Sequence, residues 1–238
     1  RNLASLYDTL AGYAGRMALR FAAPAALVCW LVAWGINIQR NPVPFIGDPF
    51  ASGSLLFVLG SITAFVVAAI AFVMGIRYRN SLAPAHLHKT WVLPVVPLAL
   101  AHALVIGLFS VLIIEFVSNA FKELALPTIY SHLLVGIGCG LIAYVVAIRS
   151  MQMRVQSVWG LFVTVLVAGI AVSAVTVSNP LWWEQSFSFL GTRNSTARIV
   201  FNFTMVLSGI LMLVFQQFFI DDFAELRERH MISPRVVH

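Results

Sequence analysis

The stretch SLLFVLGSITAFVVAAIAFVMG at residues 54–75 contains no charged side chain. About 20 apolar residues in a helix cross the roughly 30 Å hydrocarbon core of a bilayer, so this run predicts a transmembrane helix. Five further apolar runs predict spans of similar length at residues 18–39, 91–117, 126–148, 158–177 and 197–220. We therefore expect an all-α polytopic membrane protein with six transmembrane helices in residues 18–220.

The composition of the chain excludes a soluble globular protein. Hydrophobic residues make up 60% of the sequence and charged residues only 10%, with a mean hydropathy of +0.91. Soluble domains are typically about 25% charged. The net charge of +6 does not indicate a nucleic-acid partner, because the basic residues are scattered among short segments between the apolar runs.

The two ends of the chain are predicted to lie outside the bilayer core. Leu3, Leu6, Leu10 and Ala14 recur at spacings of three and four, which predicts an amphipathic helix along the membrane interface at residues 1–17. The alternative is that this segment extends the first transmembrane helix. Residues 221–238 are predicted to form a cytoplasmic tail.

The distribution of basic residues predicts the orientation. Cytoplasmic loops retain Lys and Arg. Eleven of these residues fall at the two ends and in the even-numbered loops, whereas Arg40, Lys122, Arg193 and Arg198 form the opposite set. We therefore expect both termini to be cytoplasmic, in a multi-pass protein of the plasma membrane, specifically a bacterial inner membrane.

Three ionisable side chains inside the predicted spans are candidates for function, because such groups are costly in hydrocarbon. They are His102, Glu115 and His132. The two histidines could ligate haem b axially, or each could instead hydrogen-bond a neighbouring helix. Glu115 could relay protons or bind a cation, or it could pair with Lys122. With Asn202, the three side chains could also line the polar path of a transporter.

No pattern for a catalytic or metal site is present. The sequence lacks the GxSxG, P-loop and HExxH patterns, so we expect a non-enzymatic protein without catalytic residues, metal or cofactor, haem b being the alternative. Cys29 and Cys139 lie in apolar runs and are interpreted as small core residues. Gly136 and Gly140 have the GxxxG spacing that allows close helix packing.

The fifth loop, residues 178–196, is rich in both aromatic and polar side chains. Arginines next to exposed backbone donors at a helix start attract anions such as lipid phosphates. The loop and the beginning of the sixth span are therefore predicted to bind an anionic membrane lipid or a partner membrane subunit. The predicted binding residues are Trp182, Trp183, Glu184, Arg193, Asn194, Arg198 and Asn202. The alternative is a loop that only lies along the interface and caps the sixth helix.

Residues 157–220 resemble the DUF998 family of bacterial and archaeal membrane proteins. The resemblance follows the pattern WW-x(3)-FS-x-LG, then an Asn and a helix opening with FN. These positions read Trp182-Trp183, Phe187-Ser188, Leu190-Gly191, Asn194 and Phe201-Asn202. The family is distantly similar to DRAM-type membrane proteins, which implies an association with lipid or the cell envelope but no catalytic residue. Further helices follow in that family, so the chain is expected to be a shortened member or the front part of a longer protein.

Overall fold

The computed structural model describes residues 3–82, 94–121, 124–177, 179, 181–192 and 196–228. Six long helices dominate it: α1 Leu3–Asn37, α2 Ser52–Leu82, α3 Val95–Ala120, α4 Thr128–Met151, α5 Val155–Thr176 and α6 Thr196–Glu228. Two short strands, β1 Val43–Pro44 and β2 Ala125–Leu126, and two 3-10 turns, Trp182–Glu184 and Phe187–Gly191, lie in the connections.

Within the described residues, all six helices are long and apolar enough to cross a membrane. Large apolar side chains such as Phe116, Leu213 and Ile137 are more than half exposed to the surroundings of the protein. A surface of this kind on every helix is stable in lipid and not in water. The predicted fold class, an all-α multi-pass membrane protein, is confirmed.

The beginning of the chain differs from the separate interfacial helix predicted for residues 1–17. Helix α1 continues without a break from Leu3 to Asn37. Leu10, Ala14 and Ala18 are buried, and Tyr13 stacks on Tyr78 of α2 with ring centroids 4.0 Å apart. The apolar face expected to lie on lipid therefore packs against protein, and the alternative of an extended first helix is the structure observed.

The other predicted span boundaries differ by a few residues at each end. Helices α2 and α6 continue beyond the apolar runs, to Leu82 and Glu228, because helical hydrogen bonding does not stop where the hydrocarbon ends. The first residues of the predicted tail, 221–228, are thus helical, and residues 229–238 lie outside the described part. The start predicted for the third span, residues 91–93, also lies outside it.

The helices form two groups that α3 connects. Helix α4 packs against α1 and α2, while α5 packs against α6, and α3 contacts α2 on one side and the α5–α6 pair on the other. One buried cluster joins α2, α3, α5 and α6 through Phe72, Leu98, Val165 and Leu211. Small side chains fill the interface of α1, α2 and α4, including Ala14, Ala18, Ala64, Ala68, Ala143 and Ala147.

Glycines allow the helices of the first group to approach closely. A Cβ atom built on Gly136 would lie 2.8 Å from the Cβ of Trp30, and one on Gly140 would lie 2.9 Å from the Cβ of Ala26. Both neighbours belong to α1, so the GxxxG spacing serves close packing of α4 against α1.

Candidate functional site

The first and third loops contact each other at one end of the bundle. Strand β1 in the first loop pairs antiparallel with β2 in the third, with Val43 opposite Leu126. The hydroxyl of Thr128 at the start of α4 donates to the carbonyl of Arg40. We call this end, which also bears the fifth loop, the outer end, following the predicted orientation.

Arg40 in the first loop is already paired. Its Nη1 lies 2.7 Å from Oδ2 of Asp48, and the guanidinium stands over the ring of Phe50, 5.5 Å from its centroid. The backbone N–H of Phe50, which donates to Asp48, and the Arg40 guanidinium hold the pKa of the Asp48 carboxyl below its usual value. Arg40 thus stabilises its own loop instead of offering a free positive charge to an anion.

A cavity of about 440 Å³ lies beside this loop at the outer end. Its walls are apolar side chains and backbone, together with one hydroxyl. They are formed by Pro44, Ile46 and Gly47 of the first loop and by Ser118, Phe121, Leu124 and Ala125. None of the residues predicted to bind a ligand lines it.

The fifth loop packs on the outer end of α6. The ring of Phe187 meets that of Phe201 edge to face at 5.5 Å, and Leu190 is buried. The side-chain amide of Asn202 donates to the carbonyl of Gly191 at 3.3 Å. A Cβ atom on Gly191 would lie 2.8 Å from Oδ1 of Asn202, so only glycine fits this contact without a shift. Asn202 therefore fastens the loop and is not a free ligand-binding group.

The fifth loop also exposes apolar and aromatic groups to the surroundings of the protein. Leu181, Trp183 and Phe187 are 48%, 61% and 49% exposed, and we call these three residues the aromatic shelf. Trp182 is half-buried and meets Trp183 edge to face at 6.3 Å, while Glu184 is exposed. Tryptophan rings favour the headgroup level of a bilayer, where one edge meets apolar chains and the other meets water.

Arg198 lies in the first turn of α6, close to the positive end of the helix dipole. Its side chain is exposed, and it forms no hydrogen bond or ion pair with any residue that the structure describes. Arg198 precedes Asn202 by four residues, so both share one helix face. The guanidinium is therefore available beside the fifth loop. Arg193 and Asn194 lie outside the described residues.

His102 and His132 do not lie opposite each other in the structure. Helix α2 packs against both α3 and α4, whereas α3 and α4 are not a main packing pair. His102 is buried in α3, with Nδ1 2.8 Å from the carbonyl oxygen of Leu98 one turn earlier. His132 is buried on the face of α4 that carries Gly136 and packs against α1. Each histidine thus belongs to a different helix interface.

Glu115 is exposed in the outer half of α3, and its carboxylate has no partner among the described residues. Lys122, its predicted partner, lies outside them. Asn119 donates to the backbone carbonyl of Glu115 and not to the carboxylate. Because Asn202 is fastened to the fifth loop and the histidines are in separate interfaces, these side chains do not converge on one polar path.

Several buried polar side chains lie at the outer ends of α1, α2 and α4. Of these side chains, only His132 was predicted from the sequence as a candidate site residue. Ser52 and Ser131 share a hydrogen bond of 2.7 Å, and Asn37 donates to the carbonyl of Phe50. Oδ1 of Asn37 and Nε2 of His132 are buried without a partner among the described residues. The one indication of this group in the sequence is the location of its members near the ends of apolar runs, as for Asn37, Ser52 and Ser131. Ordinary helix caps occur at the same places, so the location alone does not predict a buried polar group.

Phe187 and Gly191 of the fifth-loop pattern therefore contact α6, next to an arginine that has no partner among the described residues. Comparisons of the chain with protein-family models, with curated proteins and with solved structures find no match.

Proposed function

We propose that the chain is a non-enzymatic protein of the plasma membrane, in bacteria the inner membrane, whose fifth loop binds the headgroups of anionic lipids. The observation that carries this proposal is the aromatic shelf near the guanidinium of Arg198, which has no partner among the residues that the structure describes. An apolar surface next to one cation matches the junction between acyl chains and a phosphate group.

The chemistry of the shelf favours a lipid over a soluble anion. Leu181, Trp183 and Phe187 offer no positive charge, so they would contribute little to binding free phosphate. They would instead contact glycerol and the first acyl carbons, while Arg198 donates to the phosphate.

Membership of the DUF998 family is part of the same proposal. Phe187 and Gly191 of the pattern contact Phe201 and Asn202 in the structure, and Leu190 is buried. A pattern with this role would set the position of the loop on the sixth helix. The shelf and Arg198 would then be presented at a fixed height relative to the bilayer.

Retention of phosphatidylglycerol by the purified protein tests this function. An exposed ion pair contributes about 0.2–1 kcal/mol, so Arg198→Gln is expected to lower retention of this lipid about 1.4- to fivefold relative to phosphatidylcholine. Trp183→Ala is expected to lower retention of both lipids, because the shelf contacts parts that they share. Native mass spectrometry after detergent extraction measures the ratios.

Arg20→Gln is the matched control. Arg20 is also exposed, but it lies in α1 on the predicted cytoplasmic side. The control should retain both lipids like the unmodified chain. Equal losses in Arg20→Gln and Arg198→Gln, or no loss in Arg198→Gln, would refute the headgroup site. Loss of a co-purifying protein subunit without loss of lipid would assign the surface to a partner instead.

A further inference from the structure

The only two cysteines of the chain meet inside the first helix group. They lie 110 positions apart in sequence, Cys29 in α1 and Cys139 in α4, and both are buried. The two side chains belong to one buried cluster with Leu55 and Val135, and Cys29 Sγ also lies 3.6 Å from Oγ1 of Thr63 in α2. The sequence predicted core positions for both residues but gave no sign that they touch.

The close packing of α1 and α4 around this pair favours a disulfide. Disulfides join Cα atoms about 4.4–6.8 Å apart, which is closer than most helix pairs allow. Gly136 and Gly140 flank Cys139, and their missing side chains let α4 approach Trp30 and Ala26 on either side of Cys29. We therefore expect a bond between the sulfurs to form by rotation of the thiols, without separation of the helices.

We propose that Cys29 and Cys139 are a redox modification site, at which a membrane-soluble hydroperoxide converts the two thiols into a disulfide that links α1 to α4. In the first step, the sulfur of one cysteine takes the terminal hydroxyl of the hydroperoxide, giving a sulfenic acid and an alcohol. In the second step, the other thiol attacks that sulfur, the S–S bond forms and water leaves. Two thiols are oxidised, and one hydroperoxide is reduced.

The surroundings assign the two roles. Cys29 is 5% exposed and follows Val28, which is 56% exposed on the lipid side of α1, whereas Cys139 is 0% exposed. An oxidant dissolved in the bilayer thus reaches Cys29 first, and Cys139 resolves the sulfenic acid. The disulfide also contains no charged group, which suits its position in hydrocarbon.

Treatment of the full chain in lipid vesicles with cumene hydroperoxide tests the proposal. The expected product is an intramolecular disulfide between the peptides containing Cys29 and Cys139, found by non-reducing peptide mass mapping and reversed by dithiothreitol. Both thiols should disappear together, and the oxidised protein should unfold at a higher temperature than the reduced protein. Unlinked oxidised cysteines, links between two chains, or two intact thiols would each overturn the proposal.

Single substitutions separate the roles of the two thiols. In Cys139→Ser, Cys29 should accumulate sulfenic acid that dimedone traps, whereas in Cys29→Ser the remaining thiol should stay reduced. Trapping of Cys139 at the same rate as Cys29 would overturn the assigned order. The mapping on the unmodified chain does not depend on whether these variants fold, and neither result depends on binding of lipid headgroups to the fifth loop.

Discussion

Replacing Gly169 with alanine is expected to destabilise the protein by about 2 kcal/mol, because overpacking a tight contact costs about 1–3 kcal/mol. A Cβ atom at this position of α5 would lie 2.1 Å from Oγ1 and 2.7 Å from Cβ of Thr204 in α6. The Cβ atom of Thr204 cannot rotate away, so α5 and α6 would have to move apart at this contact. The midpoint of thermal unfolding in detergent should therefore fall.

Gly160→Ala on the same helix is the matched control. A Cβ atom there would have nothing within 4 Å, and alanine is a better helix former than glycine by about 1 kcal/mol. This variant should be as stable as the unmodified chain or slightly more so. The double variant Gly169→Ala with Thr204→Gly removes the side chain that the new methyl group would contact. It should therefore recover part of the lost stability. An unchanged midpoint for Gly169→Ala would show that α5 and α6 are not packed as described.

Replacing Gly75 with alanine is expected to cost about 3 kcal/mol, near the upper end for overpacking. The added Cβ would lie 2.5 Å from the carbonyl oxygen and 2.8 Å from the Cα of Met151, at the predicted cytoplasmic end of α4. These are backbone atoms, so no side-chain rotation relieves the contact. The expected result is a marked fall in the unfolding midpoint and in the yield of folded protein.

Gly138→Ala provides the comparison for Gly75→Ala. The nearest atom to its Cβ, at 2.7 Å, is Cδ1 of Leu56, the end of a flexible side chain. Leu56 can turn away, so this variant should cost less than about 1 kcal/mol. Equal losses for the two variants would contradict the assignment of the Gly75 contact to the backbone of Met151.

The fold could be predicted from the sequence because one physical requirement dominates it. Each run such as residues 54–75 must become a helix in hydrocarbon, where no water is available to satisfy backbone groups. The same requirement does not tell which face of a helix meets protein. The spacing of Leu10 and Ala14 fits a helix face in contact with lipid as well as one in contact with a neighbouring helix. The sequence therefore assigned this segment to the membrane interface, whereas both side chains are buried and Ala14 packs in the cluster of α1, α2 and α4.

The candidate site was only partly predictable, because its parts come together through tertiary contacts. Composition identified the fifth loop, yet the fastening of Gly191 by Asn202 and the pairing of Arg40 with Asp48 depend on how the loops fold. The sequence predicted four basic residues on the outer side but did not show which of them forms an ion pair. The contact between Cys29 and Cys139 depends likewise on which helices are neighbours.

Labelling of introduced cysteines with a membrane-impermeant maleimide in intact cells tests the six-span arrangement most directly. The native cysteines are buried, so they leave little background. Cysteine in place of the exposed Glu184, in the fifth loop, is predicted to react from outside. Cysteine in place of the exposed Ser81, at the opposite end of α2, is predicted to react only after the cells are permeabilised. Labelling of both positions from outside, or of Ser81→Cys alone, would contradict the arrangement.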